Sequence, residues 1–571
     1  MAVERSRRRG VGDGPSSRAG SRSPIAGGAP SPMARELTIA TYFESFAPVP
    51  PWDDLCAWPP DVFALTNLIL DFTEGYRLAV APPKGEVWPP APAWNEHVSA
   101  VAGEWRSALE QSDGNVPEAV QSQWAVITKF RDAALSSVAS QVAWELMQAL
   151  LTLHAIADEA CAGLAADAPD EPSAFERRAW RMLDEHGSLA RISPNRIRIL
   201  PKTHFATRGI TIRSLSRYLG LTYESIDLRW RRFEPGDRPG GGLARREYNV
   251  VLVPWPLRIS ADAFRPVEGP LQNMDRRAFG FFEFVPDAAL DASLLTAILA
   301  EARREVPTVD AVVFPEASVD AGEIPALEAV LTESSVTFLI AGVRERPTTA
   351  DGLGRNYIHV GVRTWLGWER FRQDKHHRWC LDESQIRQYH LGRMLDAGRQ
   401  WWEAIDLPPR MVQIIDVGGA TFAPLICEDL ARMDEVMELL RRVGPSIIVA
   451  VLLDGPQLPT RWPCRYASVL VDDPGSAVLT LTSFGMVARS RPAGMKRSRV
   501  VALWHDAAGG RRELELARGA AGILVTASIK PKSVWTADGR RHADTTPELT
   551  LSQIRQLRAP ASRPTRRRTP V

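Results

Sequence analysis

The hydrophobic positions of this chain change period partway along it. From Glu36 to about Ala190 they recur every three to four residues, the spacing of amphipathic helices. Val62, Leu65, Ile69 and Phe72 share one face within 61–78, and Trp94, Val98, Val101, Trp105 and Leu109 form a second stripe. A longer pattern starts at Pro117, a favourable first-turn residue, and runs through Trp124, Ile127, Val138, Val142, Leu146 and Leu150 towards Ile156. Ser173 with Glu176 spells a capping box for a helix carrying Phe175, Trp180 and Leu183. Pro82-Pro83 and Pro89-Pro90 read as loops. The pattern predicts an all-helical N-terminal domain over 36–190, with its tryptophans in the core.

Beyond Asn249 short β-branched runs alternate with helical stretches. Strands are expected at Val250–Val253, Ala311–Ser318, Val336–Ile340, Tyr357–Arg363, Val412–Ile415, Ala420–Ile426, Ser446–Leu453, Ala477–Phe484, Ser498–Trp504 and Gly522–Ile529. Helices are expected over Ala288–Arg304, Ile324–Leu331 and Asp434–Val443, and around Arg465–Ala467. Strands separated by helices indicate an α/β domain, placed here at 247–545. A C-terminal helical turn over Leu549–Leu557 and a basic tail complete the chain as 546–571, and residues 1–35, rich in Gly, Ser, Pro and Arg, read as a disordered basic tail.

Between the two domains lies a basic connecting segment, 191–246, whose best linker is Pro235–Gly242. Residues 211–226 can be cut as a helix–turn–helix with Gly220 in the turn, or as a short helix followed by a strand at Ile226–Trp230. The Trp230-Arg231-Arg232 exit favours the second cut, and the arginines keep nucleic acid open as a partner of this segment.

Composition narrows the class. The 571 residues are 45% hydrophobic and 24% charged with a net charge of +1, an ordinary globular mixture spread over two or three domains. Such a balance argues against a whole-surface nucleic-acid or membrane binder. Five scattered cysteines (56, 161, 380, 427, 464) do not make a disulfide framework, so a reducing, cytoplasmic compartment is expected. No signal-peptide core follows the first arginines, and the longest apolar run, Ile447–Leu453, is too short for a bilayer.

The candidate chemistry centres on Cys427, in Ala-Pro-Leu-Ile-Cys-Glu-Asp-Leu-Ala-Arg. A strand turning into a helix at a cysteine presents sulfur near the positive end of a helix dipole, where a thiol pKa is lowered. A buried structural cysteine is the plainer reading. Two further stretches bear on it: the strand Ala-Val-Val-Phe-Pro-Glu-Ala-Ser ends at Glu316, and Gln-Asp-Lys-His-His-Arg-Trp-Cys-Leu-Asp-Glu carries Lys375 and, eight residues on, Glu383. Glutamate, lysine and cysteine in that order on strand ends resemble the nitrilase, or carbon–nitrogen hydrolase, superfamily over about half of the chain. The Cys427-Glu428-Asp429 turn is similar to its glutaminase-type branch.

The resemblance implies an αββα sandwich preceded by the helical domain. It implies Glu316 as general base, Lys375 as oxyanion stabiliser, Cys427 as nucleophile and Glu383 as a second active-site glutamate. The backbone N–H of Glu428 would share the oxyanion, and Cys464 and Arg465 would stand at the substrate rim. Cleavage of a small amide or nitrile through a cysteine acyl-enzyme would follow, without metal or other cofactor, in a homodimer. Departures from the family's pattern after Cys427 and after Lys375 fit a changed substrate or a lost activity. The alternative is therefore a nitrilase-like scaffold in a defence or nucleic-acid complex; 66–77 is similar to segments of bacterial reverse-transcriptase defence proteins. His376, His377, Cys380 and His390 lack the spacing of a tetrahedral zinc site, and no phosphate-binding Gly-Lys-Ser/Thr loop is present.

Overall fold

The computed structural model describes residues 37–111, 115–140, 143–165, 172–204, 209–223, 226–233, 247–268, 274–346, 352–417, 420–432, 436–491 and 497–558. Both expected tails, the Pro235–Gly242 linker, Val142 and Asp434 lie outside these residues. The N-terminal region is helical. Its centre is the pair Pro59–Phe72 and Trp144–Ala160, buried almost all round, as helices at the middle of a bundle must be. Trp94–Gln111, Glu118–Lys129 and Ala174–His186 pack around them, the last opened by the Ser173/Glu176 capping box.

Two helical expectations break, one at a tertiary contact and one at a local turn. The stripe through 117–156 divides into Glu118–Lys129, Leu135–Ser140 and Trp144–Ala160, because the carbonyls of Arg131 and Ala133 accept from the N–H groups of Ala40 and Ile39. The helix begun near Asp61 stops at Phe72, where Glu74 turns left-handed and a short 3-10 turn, Gly75–Ala79, follows.

Two seven-stranded sheets face each other. The first runs, in spatial order, Gly367–Asp374, Arg355–Thr364, Phe338–Glu345, Ala311–Asp320, Glu247–Leu252, Gly522–Trp535 and Arg541–Leu557. The second runs Gly510–Glu515, Val500–Asp506, Ala477–Thr482, Ile447–Leu452, Ala420–Ile426, Met411–Val417 and Asp227–Phe233. Strand alternation sorts the side chains. Ile447, Val449 and Val451 meet Val250, Val313 and Ile340 between the sheets. On the outer face of the first sheet Val312 and Leu339 pack on Leu295, Ile298 and Leu331 of the helices Ala292–Glu305 and Ile324–Glu333. On the outer face of the second, Ile448 and Ala450 pack under Leu439, Leu440, Ala467 and Leu470 of the helices Val436–Val443 and Trp462–Asp472. The result is an αββα sandwich, and its last helical layer shares one continuous core with the N-terminal helices.

One sequence expectation is corrected and another is met. The expected helical turn at Leu549–Leu557 is part of the strand Arg541–Leu557, so the sandwich does not end at 545. Thr526 pairs with Gln553 and Ala527 with Leu551, leaving Ser552 as an extra residue. That bulge flips the facing of the strand, so Leu551 and Ile554 both reach the inter-sheet core at a spacing of three that mimics a helix. In the segment after Arg191 the favoured cut holds: the strand expected at Ile226–Trp230 is Asp227–Phe233, which adds in parallel to Met411–Val417 as the edge of the second sheet. Residues 211–222 form a 3-10 turn, Ile212–Leu215, and a strand, Leu219–Thr222, paired with Arg198–Pro201, rather than two helices. Several of its arginines pair with acids of the same chain: Arg191 with buried Asp61 at 2.5 Å, Arg213 with Asp473 at 2.6 Å and Arg231 with exposed Asp184 at 2.5 Å. No helix among the described residues is long and apolar enough to cross a membrane.

Candidate active site

Glu316, Lys375 and Cys427 each stand in or just after a strand. Glu316 lies in a bulge where the pairing of Ala311–Asp320 with Phe338–Glu345 skips from Phe314 to Val319. The Ser318 hydroxyl closes the bulge by donating to the Pro315 carbonyl at 2.7 Å, and Ala317 takes a left-handed φ of 50°. The bulge rests on Gly342, where a Cβ would stand 2.2 Å from the Pro315 oxygen and 2.3 Å from the Glu316 Cα. Lys375 follows the strand Gly367–Asp374, its N–H donating to the Asn356 carbonyl at 2.9 Å. Cys427 ends the strand Ala420–Ile426 with φ 50°, a strained value for a residue with a side chain.

These turns bring Glu316 and Lys375 together in a buried cluster beside Cys427. The Lys375 ammonium donates to Glu316 Oε1 at 2.7 Å and to Glu403 Oε2 at 2.6 Å. The Asn356 amide bridges the same two carboxylates, at 2.9 Å to Glu316 and 2.8 Å to Glu403. Two backbone donors complete it, Leu453 N–H to Glu316 Oε2 at 2.7 Å and Trp379 N–H to Glu403 Oε2 at 3.2 Å. Burial alone would lower the Lys375 pKa, but Glu316 and then Glu403 hold it well above the ordinary lysine value. Burial raises Glu316, opposed by Lys375 and helped by Glu403.

The thiol departs from the sequence expectation. A five-residue 3-10 turn, Cys427–Ala431, follows it instead of an α-helix, so it gains little from a dipole. Burial pushes the Cys427 thiol well above its usual value, Glu316 adds to the rise, and Lys375 opposes it. These surroundings hold the proton on the sulfur rather than draw it off.

Glu383 does not join the cluster. It begins the helix Glu383–Gln388 on the surface and pairs with Arg387 one turn on. The second glutamate against Lys375 is Glu403, at the end of the strand Gln400–Glu403 and 4% exposed. A lone acid closing the apolar run Trp401-Trp402 was the available signal; spacing from Lys375 pointed elsewhere. Asn356, inside an ordinary strand, carried no signal.

A cavity of about 450 Å³ opens above the sulfur, lined by Cys427, Asp454, Trp379, Trp462, Tyr466 and Glu428 among others. The expected rim residues sit elsewhere: Cys464 is buried near Arg511 and Arg465 is exposed. Helical spacing gives the cavity to their neighbours Trp462 and Tyr466, four residues apart on one face. Glu428 is half-exposed and pairs with Arg432 at 3.2 Å. Beneath Cys427, burial raises Asp429 to about 7 although Arg410 stands 3.7 Å away. Burial lowers both His376 and His377 to about 4, so they are neutral near pH 7. Among the described residues no three His, Cys, Asp or Glu side chains group to hold a metal ion.

No family model matches this sequence, and no curated protein matches it. Solved structures do match. Nit3 from Saccharomyces cerevisiae, of branch 10 of the nitrilase superfamily, is 14% identical, with 50% of this chain and 90% of that chain covered at a TM-score of 0.31. An amidase variant from Nesterenkonia sp. AN1, with the acetamide moiety of fluoroacetamide covalently added at its active-site cysteine, is 12% identical, covering 51% and 93% at 0.31. A CN-hydrolase superfamily protein from Xanthomonas campestris with an arsenic adduct in its active site is 12% identical, covering 50% and 91% at 0.29. The matched structures are members of the nitrilase superfamily, and the likeness spans about half of this chain.

Proposed function

We propose that this chain is a thiol-dependent carbon–nitrogen hydrolase of amidase type, acting on a small amide through a cysteine acyl-enzyme. The observation that carries the reading is a fully buried lysine held between two glutamates beside a buried cysteine that opens on a cavity. Burying three charges is costly unless they serve a site, and groups whose pKa values are pushed apart are how one fold runs acid and base steps.

In this reading the Cys427 sulfur attacks the amide carbon while its proton passes to Glu316. The raised thiol pKa keeps that proton in place until attack, and the raised Glu316 pKa suits it to accept the proton and return it to the leaving amine. The new S–C bond and the broken C–N bond leave a thioester and a free amine. Lys375, kept protonated by its two carboxylates, faces the tetrahedral oxyanion with the backbone N–H of Glu428. Glu316, with Glu403 fixing Lys375 opposite, then draws a proton from the water that cleaves the thioester.

The test is turnover of short aliphatic amides, with mass spectrometry of quenched protein. A wild-type chain that releases ammonia and carries an acyl mass on Cys427, both lost in Cys427→Ala, supports the reading. Absence of both, across acyl chains short enough for the cavity, would reject it in favour of a scaffold on this fold.

A further inference from the structure

Asp454 lines the same cavity and has no part in the chemistry above. It follows Leu453, whose N–H holds Glu316, so its place is tied to that of the proposed base. Its Oδ1 accepts from the Tyr389 hydroxyl and from Arg461 Nη2, each at 2.6 Å. Its backbone N–H donates to Thr482 Oγ1 at 3.2 Å, and the Gly455 N–H donates to the Tyr389 oxygen at 3.1 Å. The residue is only 7% exposed, yet its second carboxylate oxygen, Oδ2, has no hydrogen-bond partner.

A buried carboxylate oxygen without a donor is expensive, and at the wall of a cavity a ligand can supply that donor. The cavity's other walls say which donor. Trp379, Trp462 and Tyr466 give the cavity an aromatic lining, the kind of surface that suits a cation, and the cavity's own Arg432 is already held by Glu428. An anionic acyl chain would meet Asp454 and Glu428 without a released arginine. An alkyl chain would leave Oδ2 dry and unpaired.

We propose that Asp454 is a specificity-determining residue that receives a protonated amino group on the acyl part of the substrate, so that the favoured substrates are short ω-amino amides. This rests on the hydrolase reading for the word substrate, but the ammonium site is testable without turnover. Calorimetric binding to the full-length Cys427→Ala chain compares γ-aminobutyramide with its isostere valeramide, and δ-aminovaleramide with hexanamide. At least one amino amide is expected to bind tenfold or more tighter than its isostere. Adding Asp454→Asn is expected to bring the ratio within threefold while the alkyl amide still binds, which also shows that the variant is folded.

Equal or weaker binding of the amino amides, no binding by either class, or a preference untouched by Asp454→Asn would overturn the proposal. If the double variant does not fold, the preference in the Cys427→Ala chain decides alone. Amino amides that bind but are never hydrolysed by the wild-type chain would sink the hydrolase reading and leave the ammonium site standing. Hydrolysis of alkyl and amino amides at equal kcat/KM would do the reverse.

Discussion

At Cys427 burial and the Glu316 carboxylate both oppose ionisation, and only Lys375 favours it. The consequence separates a base from a mere neighbour. Glu316→Gln removes a negative charge from the thiol, so the Cys427 pKa should fall, read as thiolate absorbance against pH. Under the proposed mechanism amide turnover should nevertheless drop about 10²–10⁴-fold, because Glu316 is its proton acceptor. A second contrast concerns the two glutamates: Glu403→Gln should lower turnover by orders of magnitude, and Glu383→Gln, on the surface, should leave kcat/KM within about threefold. Asp429 gives a pH dependence of stability. Its folded value of about 7 lies above the ordinary 3.8, so the fold binds its proton more tightly than the unfolded chain does. That contribution is complete below pH 3.8 and is lost as pH rises through 7. Urea unfolding should show stability declining across that window, with a shallower decline in Asp429→Asn.

At the scale of elements, irregularities aim the chemistry. The bulge that turns Glu316 inward exists because Gly342 lets the neighbouring strand lie against it. Gly342→Ala would force backbone apart, and should destabilise the protein by about 1–3 kcal/mol or more in chemical denaturation while lowering turnover. Helices and strands were legible wherever one period ran unbroken, as in Trp94–Gln111 or Ile447–Leu452. They were misread where an extra residue changed the period, as at Ser552, or where another segment took the backbone hydrogen bonds, as at Arg131 and Ala133.

For the whole molecule, the helical region and the sandwich share one core, and the hairpin Gly522–Trp535/Arg541–Leu557 clamps them. At its tip Arg540, 1% exposed, donates to the Leu215 carbonyl at 2.7 Å, the Ala155 carbonyl at 3.2 Å and Asp538 at 2.9 Å. Asp158, 3.6 Å from Arg540, accepts the N–H groups of Arg217, Tyr218 and Leu219 at 2.6–2.9 Å. Arg540→Ala would strand these acids and should cost about 3–5 kcal/mol, with faster proteolysis at the hairpin as the accompanying sign.

Hydrophobic period alone determined the helical start, the alternating second half and the strand ends that carry Glu316 and Cys427, because burial of one face leaves a local mark on every turn or alternate residue. Lys375 was singled out by the resemblance, and the strand Gly367–Asp374 that delivers it came only with the structure. Tertiary structure alone decided that Glu403 rather than Glu383 faces that lysine, that Trp462 and Tyr466 rather than Cys464 and Arg465 line the cavity, and that burial raises the Cys427 pKa. These are properties of distance and desolvation, set by segments far apart in the chain, and spacing along the sequence does not encode them.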